Sequence, residues 1–116
     1  MKMYTNSEQT AKLIELGFEK PKGWYADGVT NNIKLYVNID ENPMMFNYSI
    51  GELIEMLPKS IKVNDCFFTL AISAGFDNWL VEYNDIAFGS QAGVCKAELI
   101  DALFAEIVIL KEEGVI

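Results

Sequence analysis

The stretch Cys66-Phe67-Phe68-Thr69-Leu70-Ala71-Ile72-Ser73-Ala74-Gly75-Phe76-Asp77-Asn78-Trp79-Leu80-Val81-Glu82-Tyr83 decides the fold class. Cys66 to Ser73 is rich in Phe, Leu and Ile and reads as a largely buried strand. Ala74 to Asn78 has the length and residue types of a hairpin turn. Trp79 to Tyr83 then returns as a second strand. The hairpin implies a mainly antiparallel sheet.

On the C-terminal side, Asn84 to Val94 holds Gly89 and Gly93 and reads as a loop. The last helix is expected from about Lys96 to Glu113, with Gly114 as its stop. At 100° per residue, Leu99, Leu110, Leu103, Ile107, Ile100, Phe104 and Val108 cover about half its circumference. Ala102, Ala105 and Ile109 lie on the opposite side with Glu98 and Asp101. A helix apolar on more than one face packs on more than one side. It is either central in the fold or meets another subunit.

On the N-terminal side, Ser49-Ile50-Gly51-Glu52 is a capping box. Tyr48 before the cap and Leu53 after it form a hydrophobic staple. Ile50, Leu53, Ile54 and Leu57 make one apolar stripe, and Pro58 ends the helix at about residue 57. Ile33 to Ile39 alternates apolar and polar residues as a half-buried strand does. Residues 19–32 read as loop, with a brief strand at Trp24-Tyr25-Ala26. The first helix is expected at about residues 6–16, with Thr5 as N-cap, Glu8 reaching back, and Gly17 and Phe18 closing its end. Strands and helices do not alternate strictly, which disfavours a doubly wound parallel sheet. The expected fold is a single α+β domain over residues 1–116. It has a small, mainly antiparallel sheet of three or four strands, with about three helices packed on it.

Composition narrows the chemistry. Of 116 residues, 51% are hydrophobic, enough for a core and too many for a disordered chain. The net charge is −8, and there is no histidine. All nine basic residues are lysine, six of them before residue 60, so residues 60–116 carry −6 of the −8. Without arginine's planar fork, and with a repelling field, nucleic acid is not an expected partner. An anionic membrane surface is disfavoured for the same reason. Without histidine, most nucleophile–base triads and most zinc sites are excluded. Cys66 and Cys95 are isolated and form no metal motif. Cys66, beside Phe67 and Phe68, reads as a buried free thiol. No signal-peptide core or membrane-length apolar run occurs, so the expected compartment is the cytoplasm.

Candidate sites are few. The glycines form no phosphate-loop spacing. Gly89 to Gly93 precedes a helix and could offer N–H groups to an anion, but reads first as a flexible connection. Asp77, Glu82 and Asp85, and Glu98 with Asp101, are carboxylates of ordinary density for a solvated surface. Glu112 and Glu113 oppose the helix dipole and read as a fraying end. No catalytic, cofactor-binding or metal-binding residue is expected. Of the fourteen aromatics, Trp24, Tyr25 and Phe76 lie in turn-rich segments and are the best candidates for exposed partner contacts. Ala102, Ala105 and Ile109 on the last helix join them.

Three stretches carry a resemblance: Leu16-Gly17-Phe18, Ser49 to Pro58, and Leu99-Ile100-Asp101-Ala102-Leu103. Together they resemble small uncharacterised proteins carried by prophages and mobile elements of gut Bacteroidetes. Members of that group often carry Trp before the capping Ser, where this chain has Tyr48. The resemblance implies a mobile-element context and transfers no activity and no functional residue. The expectation is therefore a non-enzymatic protein-interaction module. Its partner would be an unknown protein or a second copy of itself through the last helix. Two alternatives remain: an acidic decoy for a nucleic-acid-binding host protein, and a small-molecule binder or enzyme using Asp, Glu, Tyr or Cys.

Overall fold

Burial that alternates along four neighbouring strands builds the sheet of this protein. The computed structural model describes residues 1–21, 47–85, 87 and 89–116 in full, and the backbone of 24–26 and 33–35. The elements in order are α1 (Ser7–Glu15), β1 (Trp24–Ala26), β2 (Ile33–Leu35), α2 (Ile50–Met56), β3 (Ser60–Val63), β4 (Cys66–Ala74), β5 (Trp79–Asp85), β6 (Gly89–Lys96) and α3 (Leu99–Glu112). Strands β3 to β6 form one antiparallel sheet in sequence order, and β1 pairs with β2 separately. The fold is α+β, with three helices and a four-stranded antiparallel sheet among the described residues.

The register explains the packing. Ile61 pairs with Phe68, Leu70 with Tyr83, and Val81 lies between Ile72 and Val94. Ile61, Phe68, Val81, Tyr83 and Val94 are buried. On the opposite face Lys62, Phe67, Thr69, Ser73 and Cys95 are exposed. This is the pattern of an antiparallel sheet covered on one side. The buried face meets α3, whose Leu99, Ile100, Leu103, Ile107 and Leu110 join it in one core with Leu13 of α1 and Leu53 and Leu57 of the α2 end.

The sequence reading missed two strands. The expected loop at 84–94 is largely β6, and β5 continues to Asp85. Gly89 to Gln91 are paired with β5, and Ala92 and Gly93 continue β6 through the register shift, so the segment is strand and not a flexible connection or an anion loop. Its small residues hid a strand that carries positive φ at Gly89 and Ala92 and a register shift opposite Val81/Tyr83. Strand β3 was also missed. Asn64 and Asp65 both take positive φ between the paired Val63 and Cys66, a two-residue hairpin turn that these residue types tolerate. Of the Ile33 to Ile39 strand, the structure describes Ile33–Leu35; the remainder lies outside the described residues. The brief strand at Trp24–Ala26 is present.

The helix ends show similar shifts. The Ser49/Glu52 capping box forms as read. In α1 the cap is Asn6 with Gln9, one residue beyond the expected Thr5/Glu8 pair. Thr5 is instead buried, and its Oγ1 accepts the Tyr48 backbone N–H at 3.0 Å. The hydroxyls of Thr5 and Thr10 lie 2.7 Å apart, and Thr10 Oγ1 donates to Asn47 Oδ1 at 2.6 Å. Thr10 has one hydroxyl proton, so Thr5 must be the donor between the two threonines. The result is a one-way chain of hydrogen bonds from Tyr48 through Thr5 and Thr10 to Asn47. It fastens the segment before α1 to the segment before α2.

Helix α3 starts at Leu99, later than expected, and Glu112 belongs to it instead of fraying. Lys12 lies 3.8 Å from Glu112. The buried residues of α3 span an arc of roughly 160° on a 3.6-residue wheel. The helix is thus central within the chain, which corrects the expectation for Ala102: it is 0% exposed and cannot touch another molecule. Cys66 and Cys95 are free, and Cys66 is half-buried, not fully enclosed.

The hydroxyl chain predicts that Thr10→Val leaves the Thr5 proton and the Asn47 oxygen unpaired. A loss of about 1–3 kcal/mol is expected. Denaturant unfolding should show a lower midpoint at unchanged slope.

Candidate functional site

A concavity lies where the end of α1 meets α2. Leu16 caps α1, and Gly17 takes φ +100. Gly17 N–H donates to Ile14 O at 3.0 Å and Phe18 N–H to Leu13 O at 3.1 Å. This is a Schellman ending, which needs a residue free to enter the left-handed region. It swings Phe18, Glu19 and Lys20 towards α2. From the other side Tyr48, locked in the staple and 1% exposed, donates its hydroxyl to the Glu19 carbonyl. A cleft of about 230 Å³ results, lined by Phe18, Glu19, Lys20, Tyr48, Glu52, Glu55 and Met56.

Its floor is apolar or aromatic, and its edge is mostly acidic. Three carboxylates and one ammonium give it a net −2. Lys20 and Glu52 have partners of their own within the chain. Glu52 also accepts the Ser49 backbone N–H at 3.2 Å, which holds its carboxylate at the helix start. Lys111 lies 5.4 Å from the centre of the Phe18 ring, a cation–π distance that steadies the cleft wall from α3. Burial pushes the Tyr48 hydroxyl up to about 12, with Glu52 and Glu19 adding to the rise. At neutral pH Tyr48 is therefore a fixed donor. The cleft can receive a cationic or amphipathic group. Among the described residues no group of three His, Cys, Asp or Glu side chains could hold a metal ion.

Other acids are committed inside the chain. Asp101 Oδ1 accepts from Lys2 Nζ at 2.9 Å and Gln9 Nε2 at 2.8 Å. Burial opposes its ionisation, but those hydrogen bonds and the charges of Lys2 and Lys96 hold its pKa below the usual value. Glu98 accepts the Lys2 backbone N–H. Glu106 is wholly buried. Tyr83 is buried too; it donates to the Pro58 carbonyl at 2.7 Å, and burial, then Glu106, push its hydroxyl up to about 12.

The residues expected to contact partners are dispersed. Phe76 sits at the tip of the β4–β5 turn with its side chain fully exposed. Ala105 and Ile109 are half-buried on α3 and Ala102 is inside. An enclosed alanine and a fully exposed phenylalanine cannot share one surface. Trp24 and Tyr25 lie in β1, with side chains outside the described residues. Phe76, Ala102, Ala105 and Ile109 are not among the cleft's described lining residues. Its signals were present singly, as the helix exit at Gly17-Phe18 and the staple at Tyr48; their meeting is tertiary.

The fold and cleft together define a small α+β protein with an acidic, aromatic-floored groove. Compared with protein-family models, curated proteins and solved structures, the chain matches none of them.

Spectrophotometric titration should find that Tyr48 and Tyr83 give up their protons only near pH 12. Tyr48→Phe and Tyr83→Phe should each remove one late step from the phenolate absorbance curve.

Proposed function

We propose that this protein is a non-enzymatic interaction module whose cleft between α1 and α2 holds a lysine- or arginine-bearing segment of a protein partner. The observation that carries the reading is the cleft itself. An apolar floor of Phe18, Tyr48 and Met56 suits the stem of a long basic side chain, while Glu19, Glu52 and Glu55 suit its charged head. A fixed hydrogen bond from Tyr48 to the Glu19 carbonyl preorganises the wall, which lowers the ordering cost of binding.

A different protein is favoured over a second copy. The last helix, the expected dimer surface, directs Ala102 into its own core. The decoy alternative loses support for a related reason. A decoy needs carboxylates arrayed on one surface, whereas Glu106 is enclosed and Asp101 and Glu98 hold Lys2. The proposed setting is the cytoplasm, within the mobile-element context that the motif resemblance suggests. Among the described residues no helix is long and apolar enough to cross a membrane.

Titration calorimetry with short lysine- and arginine-containing peptides tests this. Binding should weaken with added salt. The Glu19→Lys/Glu55→Lys double variant should lose about tenfold in affinity, since each exposed pair contributes up to about 1 kcal/mol. An acidic peptide of equal length should not bind. Equal affinity of the basic peptides for the parent and the double variant, or no binding to either, would remove the proposal.

A further inference from the structure

Glu106 is out of keeping with everything around it. It lies near the middle of the buried arc of α3, between Ala102 and Leu110 on successive turns, and is 0% exposed. Among the described residues neither carboxylate oxygen has a hydrogen-bond partner. An ionised carboxylate in that position would be a buried charge with nothing to balance it, among the costliest arrangements a fold can hold. A protonated carboxyl is uncharged, and enclosing it costs far less.

The surroundings favour the protonated form. From β5, Glu82 acts on Glu106, and Glu106 acts on the enclosed Tyr83. From the end of its own helix, Glu113 acts on it. Several other charged groups on neighbouring elements act or lie elsewhere. Lys96 of β6 acts on Asp101, Glu52 and Glu55 of α2 line the cleft, and Lys12 of α1 faces Glu112. Lys111, on α3 itself, lies over Phe18. Among the described residues, the charges that act on Glu106 are negative. Burial first, then Glu113 and Glu82, push its carboxyl up to about 7.

We propose that Glu106 is a proton-held latch: protonated, it lets α3 seat on β5 and β6, and its ionisation loosens that seating. The direction follows from linkage. In the unfolded chain the carboxyl titrates near its ordinary value of 4.5, and in the fold near 7. Below 4.5 both states hold the proton and Glu106 takes nothing from the fold's stability. As pH rises towards 7 the unfolded chain gives up a proton that the fold retains, so stability falls. Above that the loss is complete, at most on the order of 10² in the folding equilibrium constant.

Urea unfolding of the full chain between pH 5 and 8 tests the latch. The parent should lose tenfold or more in its folding constant over that range, and Glu106→Gln should remove most of that loss. Hydrogen exchange corrected for intrinsic rate should report faster opening of α3 and β5 at pH 8 than at pH 5 in the parent, and no such change in Glu106→Gln. A parent with flat stability, or a Glu106→Gln variant with the parent's slope, overturns the proposal. Should Glu106→Gln fail to fold, carbon-13 NMR of the parent decides directly. A Glu106 carboxyl midpoint near 7 supports the latch, and a midpoint in the ordinary carboxylate range refutes it.

Discussion

Helix α3 presents buried side chains over an arc too wide for one neighbouring layer to cover. Its Leu99, Ile100, Leu103, Ile107 and Leu110 all lie in the core, at 7% exposure or less. The four-stranded sheet covers one part of that arc with Val81, Tyr83 and Val94. The remainder needs α2 and the Leu13 side of α1, which explains why the short α1 and α2, of nine and seven residues, can exist here at all. Isolated helices of that length are unstable in water, and tertiary burial supplies what their own hydrogen bonds cannot. The ties between α1 and α3 follow the same logic. Gln9 completes its own helix cap and also reaches Asp101, so one residue finishes α1 and aligns it on α3.

The fold was legible wherever the chain signals locally. The Ser49/Glu52 box, the Gly17 exit and the 66–83 hairpin depend on residues close in sequence, and each formed. Strands β3 and β6 were harder to read. The residues Gly89, Ser90, Gln91, Ala92 and Gly93 are poor strand formers, and they are strand only because β5 supplies a ladder for them. The Asn64-Asp65 turn was the available clue to β3, flanked by Val63 and Cys66. At the first helix two overlapping boxes competed. Asn6 is the cap, and the Thr5 hydroxyl instead accepts the Tyr48 N–H, a partner more than forty positions away.

The candidate site was less legible. Its walls come from two segments separated by about thirty residues, and no spacing rule joins Glu19 to Tyr48. Glu106 is the sharpest instance. On a wheel it lies among leucines, yet taken with the other carboxylates it looks like any surface acid. Net charge could not separate an acid that is enclosed from acids that are solvated or that hold Lys2.

Strand β6 has a neighbour on one side only among the described residues. Such a margin ordinarily offers a straight row of N–H and C=O groups to any passing extended chain. Here the row is broken. Gly89 and Ala92 turn to positive φ, and the shifted register beside Val81 and Tyr83 kinks the ladder. A foreign strand would find its bonding groups out of step within a few residues. The irregularity that hid β6 in the sequence thus works against runaway edge-to-edge stacking of molecules, a protection carried by backbone geometry where the side chains are too small to provide it.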